Sequence, residues 1–374
     1  MAAVDVDRVT KQYDTADAVT LTGAFKKPPA LNDVSLHVAD GETVSIVGSS
    51  GCGKSTLLKV VAGLEFPNSG RVLFDETDVT NLAPQDRGVG MVFQDYALYP
   101  TLKGKGNLAY YFQVHERTQE EADQRTREVA QIMGVGFDLL MGRVPTTLSG
   151  GEQQRVAIGR CIVRDPSLFL MDEPICNLDG KLRESTRIEL KKLLRKFAVT
   201  TLYVTHDQQE AIFMGDRIAV MRDGEIIQIG SFDDLYYQAA NLFVAQFIGS
   251  PPIGILPATI DDHYVSVMNA RWALPDDIAQ SAPPGRVRVG VRPEGWNLSA
   301  PDGVTVSIRH IERNLTERAS FLFGSIADTR FVIATGIDVP DVTEIRATPD
   351  WSQVYFFAAD SEETLRAPGV PQLF

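Results

Sequence analysis

The sequence predicts an α/β fold built on a largely parallel sheet, followed by a small all-β domain. Three observations carry that prediction. Short apolar runs alternate with amphipathic helical runs from Ala3 to about Leu235. A glycine-rich stretch, GSSGCGKST (48–56), joins one apolar run to one helical run. After about residue 236 the helical periodicity stops, and prolines separate short β-like runs.

The strand candidates in the first part are TVSIVG (43–48), GVGMVF (88–93), SLFLMDE (167–173) and TLYVTH (201–206). Their near-continuous apolar character fits strands buried on both faces, as a parallel sheet requires. Between them lie the helical patterns KSTLLKVVAGL (54–64), EEADQRTREVAQIM (120–133), GEQQRVAIGRCIVR (151–164) and KLRESTRIELKKLLRKF (181–197). Asp223-Gly224 marks a hairpin turn within DRIAVMRDGEIIQIG (216–230). In the second part RVRVGV (286–291), VTVSI (304–308) and VYFFAA (354–359) read as short strands of a barrel or sandwich. The predicted domains are therefore 1–235 and 236–374.

Bulk properties narrow the function. A chain of 374 residues is long for one compact domain, which agrees with two. No apolar run is long enough to span a bilayer, and the first thirty residues lack a signal-peptide pattern, so a cytosolic chain is expected. A formal net charge of −13 argues against general nucleic-acid binding, which needs a basic surface. Cys52, Cys161 and Cys176 have no metal-ligand spacing, and reduced thiols are expected.

GSSGCGKST follows a strand and opens a helix, the context a P-loop needs. Gly48, Gly51 and Gly53, with Ser49, Ser50 and Cys52 between them, let backbone N–H groups turn toward phosphate oxygens. Lys54 can reach the β- and γ-phosphates, Ser55 can place its hydroxyl on Mg²⁺, and Thr56 can hold the α-phosphate. SLFLMDE supplies two acids where a strand ends. Asp172 can hold a Mg²⁺-bound water, and Glu173 can point at a water attacking the γ-phosphate. An apolar run ending in two acids is weak alone and strong downstream of a P-loop.

LSGGEQQR (148–155) opens another helix with Ser149, Gly150 and Gly151, presenting N–H groups and a hydroxyl at its start. With that stretch added, the chain resembles the ATP-binding subunits of ABC transporters along essentially its whole length. The resemblance implies a P-loop NTPase fold of ABC type with a helical subdomain at about 95–160. It implies that Gln94 in VFQDYALYP meets Mg²⁺ and senses membrane subunits, and that Ser149, Gly150 and Gly151 form the signature. Cys176-Asn177-Leu178-Asp179 resembles the D-loop, with Asp179 as its acid, and His206 in YVTHD resembles the switch histidine. Tyr13 in TKQYD stands where the family places a ring that stacks on adenine. In the family the signature faces a second subunit's P-loop, so two ATP molecules are sandwiched between two chains. The resemblance thus implies catalytic roles for Glu173, His206, Gln94 and Lys54, with Mg²⁺ at Ser55, Gln94 and Asp172.

Three departures from the family pattern are visible. TADAVTLTGAFKKPP (15–29) is an insertion after the adenine-stacking position. Cys176 replaces the usual serine of the D-loop. TLKGKGNLAYYF (101–112) carries two glycines and two lysines in the region that docks membrane partners, and reads either as a partner-tuning segment or as a solvated loop.

FVAQFIGSPPIGILPATI (243–260) and VGVRPEGW (289–296) resemble carbohydrate-importer ATPases related to the maltose system, whose ATPase domain precedes an OB-like regulatory domain. The implied function is the ATP-hydrolysing subunit of a sugar importer at the cytoplasmic face of the membrane. Its implied partners are a second ATPase chain, two permease subunits and, indirectly, a solute-binding protein. Iron, polyamine or phosphonate import stays open. A soluble ABC protein of DNA repair or translation is the competing class, and the long coiled-coil insertion or tandem ATPase domains usual there are missing.

Overall fold

The computed structural model describes residues 2–13, 28–267, 270–281, 284–298, 303–316, 318–326 and 329–368. By its own contacts the chain divides into two units, Met1–Ile229 and Gly230–Phe374.

The first unit opens with β1 (Val4–Lys11) and β2 (Leu31–Val38), followed by β3 (Thr43–Gly48) and helix α1 (Lys54–Ala62). Strands β4 (Ser69–Phe74), β5 (Thr77–Asp78) and β6 (Val89–Val92) come next. Four helices follow: α2 (Gly104–Val114), α3 (Gln119–Met133), α4 (Phe137–Met141) and α5 (Gly150–Ile162). The unit finishes with β7 (Leu168–Asp172), α6 (Gly180–Phe197), β8 (Thr200–Val204), α7 (Gln208–Met214), β9 (Arg217–Arg222) and β10 (Glu225–Gly230).

These strands form two sheets. One is antiparallel in its main pairings and has the order β2-β1-β4-β5; the other has the order β10-β9-β3-β8-β7-β6. In the second sheet β3, β8, β7 and β6 run parallel, as does β9 beside β3. Every residue of β3, β6 and β8 is buried, which explains why their sequences lack alternation. Asp223 and Gly224 both have positive φ, at 51° and 86°, as a two-residue type I′ hairpin turn requires.

Local sequence starts the helices that matter for the site. Gly53 precedes α1 with φ 109°, and a Cβ there would lie 2.4 Å from the Ala30 carbonyl oxygen. Only glycine fits that turn. Thr118 with Glu121 and Ser149 with Glu152 form capping boxes on α3 and α5. Asp179 caps α6 through Leu182 N–H.

The segment after Gln94 differs from one of its two expectations. TLKGKGNLAYYF is not a solvated loop, because Gly104 onward forms α2. Gly104 packs where a Cβ would meet the Leu140 carbonyl oxygen at 2.5 Å. Asn107, fully buried, accepts from Tyr99 N–H and donates to the Tyr99, Leu102 and Lys103 carbonyls. These contacts give a glycine-containing stretch the tertiary support that propensity alone denies it.

The second unit begins with α8 (Phe232–Tyr237) and α9 (Leu242–Phe247). Strands β11 (Gly254–Asp261), β12 (Tyr264–Val267) and β13 (Ala270–Ala273), helix α10 (Asp276–Ser281) and strands β14 (Gly285–Val291) and β15 (Trp296–Leu298) follow. The remainder is β16 (Val304–Asn314), β17 (Ala319–Ile326), β18 (Thr329–Gly336), β19 (Glu344–Pro349), β20 (Val354–Ala358) and β21 (Thr364–Arg366). Two sheets result, β13-β12-β11-β14-β20-β21 and β15-β19-β16-β17-β18, with one shared apolar core. All three tryptophans, Trp272, Trp296 and Trp351, lie in this unit.

Arg292, in the VRPEG stretch, is 1% exposed and anchors α8 and α9. It donates to the Tyr236, Ala245 and Ile248 carbonyls, and its guanidinium stacks 4.0 Å from the Tyr236 ring centroid. Carbonyls near helix ends carry partial negative charge, so they compensate the buried cation. No helix among the described residues is long and apolar enough to cross a membrane.

Candidate nucleotide site

Four neighbouring strands end at one edge of the parallel sheet, and each delivers a site residue there. Register pairs Ile46 with Val204, Val204 with Asp172, and Met171 with Val92. The turn after β3, His206 after β8, Asp172 and Glu173 at β7, and Gln94 after β6 therefore converge. Ligands of open α/β sheets sit at such carboxyl ends.

A cavity of about 440 Å³ opens at this edge, lined by Ser50, Gly51, Gly53, Lys54, Ser55, Thr56, Gln94, Glu173 and His206, with Ala30. Lys54 is buried and donates to the Gly48 carbonyl at 2.9 Å and the Ser49 carbonyl at 3.0 Å. Its Nζ also lies 3.8 Å from Cys52 Sγ. An ammonium has three donors, and all three contacts are with the loop itself, so the loop's fold holds the charge at the cavity. Gly48, Ser49 and Cys52 thus serve by position rather than by lining the cavity.

Ser55 Oγ donates to Asp172 Oδ1 at 3.0 Å. Burial pushes the Asp172 carboxyl above its ordinary range; the Ser55 hydrogen bond opposes this and neighbouring Glu173 reinforces it. A half-buried carboxylate beside a hydroxyl and a second carboxylate is a site that a hard cation would relieve. No group of three or more His, Cys, Asp or Glu residues among those described forms a metal cage. The Ser55 hydroxyl and the Asp172 carboxyl are oxygen donors of the kind a hard cation takes.

Glu173 has φ 46°, in the left-handed region that non-glycine residues rarely adopt. Its N–H donates to the Val204 carbonyl, so the turn is fixed from the neighbouring strand. Its Oε2 lies 2.9 Å from His206 Nδ1. The backbone strain is of order 1–3 kcal/mol, a size that surrounding structure must hold in place.

The structure brings Lys54, Ser55, Thr56, Gln94, Glu173 and His206 together and leaves other predicted residues apart. Ser149, Gly150 and Gly151 do not line this cavity. They start α5 instead, where Gly150 packs so that a Cβ would meet Leu178 Cδ2 at 2.8 Å. Tyr13 also stands outside the lining; it is 42% exposed, with Lys11 Nζ 5.1 Å from its ring centroid. Residues 14–27, most of the 15–29 insertion, lie outside the described residues.

Two supporting residues, Arg183 and Arg160, had no sequence signal, and Asn177, named only as part of the D-loop stretch, gave no sign of its partner. Asn177 Nδ2 donates to the Gln94 carbonyl at 2.9 Å. Arg183 donates to the Cys176 and Leu178 carbonyls. Arg160, on α5, donates to the Tyr96 and Ala97 carbonyls just beyond Gln94. A polar or basic residue on a helix gives no hint of which distant carbonyl it will meet.

Comparison with known proteins agrees with this geometry. Residues 31–176 match the family model described as ABC transporter. The chain is 37% identical over 390 residues of alignment to the diacetylchitobiose uptake system ATP-binding protein MsiK of Streptomyces coelicolor, covering 98% of this chain and 100% of that one. It is 47% identical over 282 residues to the trehalose/maltose import ATP-binding protein MalK of Thermococcus litoralis, covering 72% and 75%. It is 45% identical over 315 residues to the sn-glycerol-3-phosphate import ATP-binding protein UgpC of Yersinia pseudotuberculosis, covering 83% and 85%. Among solved structures, the dimeric post-hydrolysis state of the ATP-binding cassette MJ0796 bound to ADP and Pi is similar, with a TM-score of 0.52 and 34% identity. That match covers 61% of this chain and 98% of that one. With relatives of this identity along nearly its whole length, the chain belongs to the ABC transporter family, among its ATP-hydrolysing import subunits.

Proposed function

We propose that this chain powers import of a sugar or a related small polar solute, hydrolysing Mg²⁺-ATP as a homodimer beneath two permease subunits. The observation that carries the site assignment is the convergence of Lys54, Ser55, Gln94, Glu173 and His206 on one cavity of about 440 Å³. Support for the solute class comes from the relatives, whose names specify uptake of diacetylchitobiose, trehalose or maltose, and glycerol phosphate. The same relatives favour import over DNA repair or translation, and favour a working place at the cytoplasmic face of the membrane.

Bound Mg²⁺-ATP supplies the γ-phosphoryl group and the cation's neutralising charge. Lys54 and the N–H groups of residues 50–56 hold phosphate oxygens, and Thr56 takes the α-phosphate. Ser55, Gln94 and Asp172 are the residues that would hold the cation, which would neutralise charge on the phosphates. Glu173 orients a water and accepts its proton, while His206, its Nδ1 turned to Glu173, keeps Nε2 for the γ-phosphate. Catalysis of this kind is mostly positioning and charge stabilisation.

Ser149, Gly150 and Gly151 stand outside the chain's own cavity, which supports their acting on a second chain's ATP. The dimeric cassette among the solved neighbours supports the same arrangement. Tyr13 is the proposed adenine contact, carried by its place in the sequence. The proposed domains are an ATPase domain to about residue 235 and a C-terminal β domain of OB-like type that regulates or dimerises.

The decisive variant is Glu173→Gln. Steady-state hydrolysis is expected to vanish while ATP binding persists and ATP drives dimers in size-exclusion chromatography. Near-normal turnover by this variant overturns the assignment of Glu173.

A further inference from the structure

The N-terminal end of α5 carries a carboxylate of its own. Ser149 N–H donates to Glu152 Oε2 at 2.8 Å, and Ser149 Oγ accepts from Glu152 N–H at 3.4 Å. Glu152 Oε1 lies 3.2 Å from Arg143 Nη1, and Arg143 Nη2 donates to the Thr147 carbonyl. Hydrogen bonding from Ser149 N–H, with Arg143 assisting, holds Glu152 below its ordinary carboxyl range, so it is an anion near neutral pH. Glu152 already occupies Ser149 N–H and serves the α5 cap. The N–H groups of Gly150 and Gly151, in the first helical turn, have no intrahelical acceptor by helix geometry.

The signature therefore offers a phosphate two glycine N–H groups and a hydroxyl, with the Glu152 carboxylate seated on the adjoining Ser149 N–H. A partner's γ-phosphate arriving there meets like charge, and Arg143 is the cation bonded to that charge. We propose that Glu152 and Arg143 act as opposed electrostatic controls on ATP-driven pairing of two copies of this chain. Glu152 weakens capture of the second copy's γ-phosphate, and Arg143, as a positioning residue, offsets that penalty. The inference rests on the signature reading given under Proposed function, and it adds how strongly the signature binds.

The charge can be separated from the cap because Glu152→Gln keeps both capping bonds through its amide oxygen and backbone N–H, while removing the charge together with its ion pair to Arg143. Arg143 and Glu152 side chains are 44% and 33% exposed, so their influence is screened by salt. Charges of this kind, a few ångströms from a ligand at a partly wet interface, change a binding constant about three- to tenfold.

The test uses the full chain carrying Glu173→Gln, and measures by light scattering the ATP concentration at half-maximal dimer. Adding Glu152→Gln is expected to lower that concentration about three- to tenfold, and Arg143→Gln to raise it by a similar factor. Arg143→Lys is expected to behave like the parent. The variant combining Arg143→Gln with Glu152→Gln is expected to lie nearer Glu152→Gln alone than Arg143→Gln alone, because the repulsion that Arg143 offsets is gone. All shifts are expected to shrink at about 1 M salt.

An unchanged midpoint for Glu152→Gln overturns the proposal, as does an Arg143→Gln effect that persists at full size when Glu152→Gln is also present. A parent that stays monomeric at saturating ATP, or a Ser149→Arg variant that pairs normally, overturns the underlying signature reading and the proposal with it.

Discussion

His206 Nδ1 lies 2.9 Å from Glu173 Oε2, although 33 residues separate them in sequence. The contact orients an imidazole and a carboxylate on one cavity wall. His206→Ala is expected to lower kcat about 10²- to 10³-fold, the usual loss for a group aimed at developing charge. Binding of a fluorescent ATP analogue is expected to hold within about threefold, because Lys54 and the glycine loop remain. Parallel loss of binding and turnover contradicts this division of labour.

Two glycines separate folding from function. Gly53→Ala puts a Cβ 2.4 Å from a backbone oxygen at positive φ, with nothing flexible to yield. It is expected to cost about 2–3 kcal/mol and to abolish nucleotide binding. Gly150→Ala meets only the movable end of Leu178, so thermal stability is expected to change little. Its hydrolysis is expected to fall, because the methyl group narrows the approach to the α5 N-terminus. Comparing melting temperature with ATPase rate for both variants checks the contrast.

Glu210 sets a pH dependence. It is 3% exposed and accepts from the Tyr203 hydroxyl, and burial raises its pKa from the ordinary 4.5. An acid with a raised folded pKa is still protonated in the native state at a pH where the unfolded chain has ionised. The unfolded state then binds fewer protons, and the group's contribution falls as pH rises from about 4.5 through the raised value. Glu210→Gln is expected to escape that loss. Its melting temperature relative to wild type is expected to climb over that range and then level off. A constant difference between the two proteins contradicts the assignment.

Arg292→Met removes a buried guanidinium and leaves the Tyr236, Ala245 and Ile248 carbonyls without it. The expected loss is about 3 kcal/mol, confined to the C-terminal unit. Because every tryptophan lies in that unit, intrinsic fluorescence during urea unfolding reads it selectively. A midpoint equal to wild type shows that α8 and α9 are held by other means.

The parts of the fold that sequence made legible are those where local chemistry and burial agree. GSSGCGKST needs a strand before it and a helix after it, and β3 and α1 take those places. β7 ends at Asp172 within the apolar run that announced it. Less legible was α2, whose two glycines speak against a helix until Leu140 and the buried Asn107 are in place. The left-handed backbone of Glu173 was also hidden, because the bond that fixes it comes from Val204. Asn177 and Arg160 were hidden for a similar reason, since their acceptors are carbonyls, which every residue has. Tertiary geometry alone selects among them.

None of Ser149, Gly150 and Gly151 lines the cavity that contains Lys54, Glu173 and His206. Under the proposed pairing, that separation has a genetic consequence. A gene copy defective at Lys54 and another defective at Ser149 would each fail alone. Expressed together, they would yield some mixed pairs with one complete compartment, built from the sound loop of one product and the sound signature of the other. Two recessive-looking lesions in a single gene would then complement, as lesions in separate genes do.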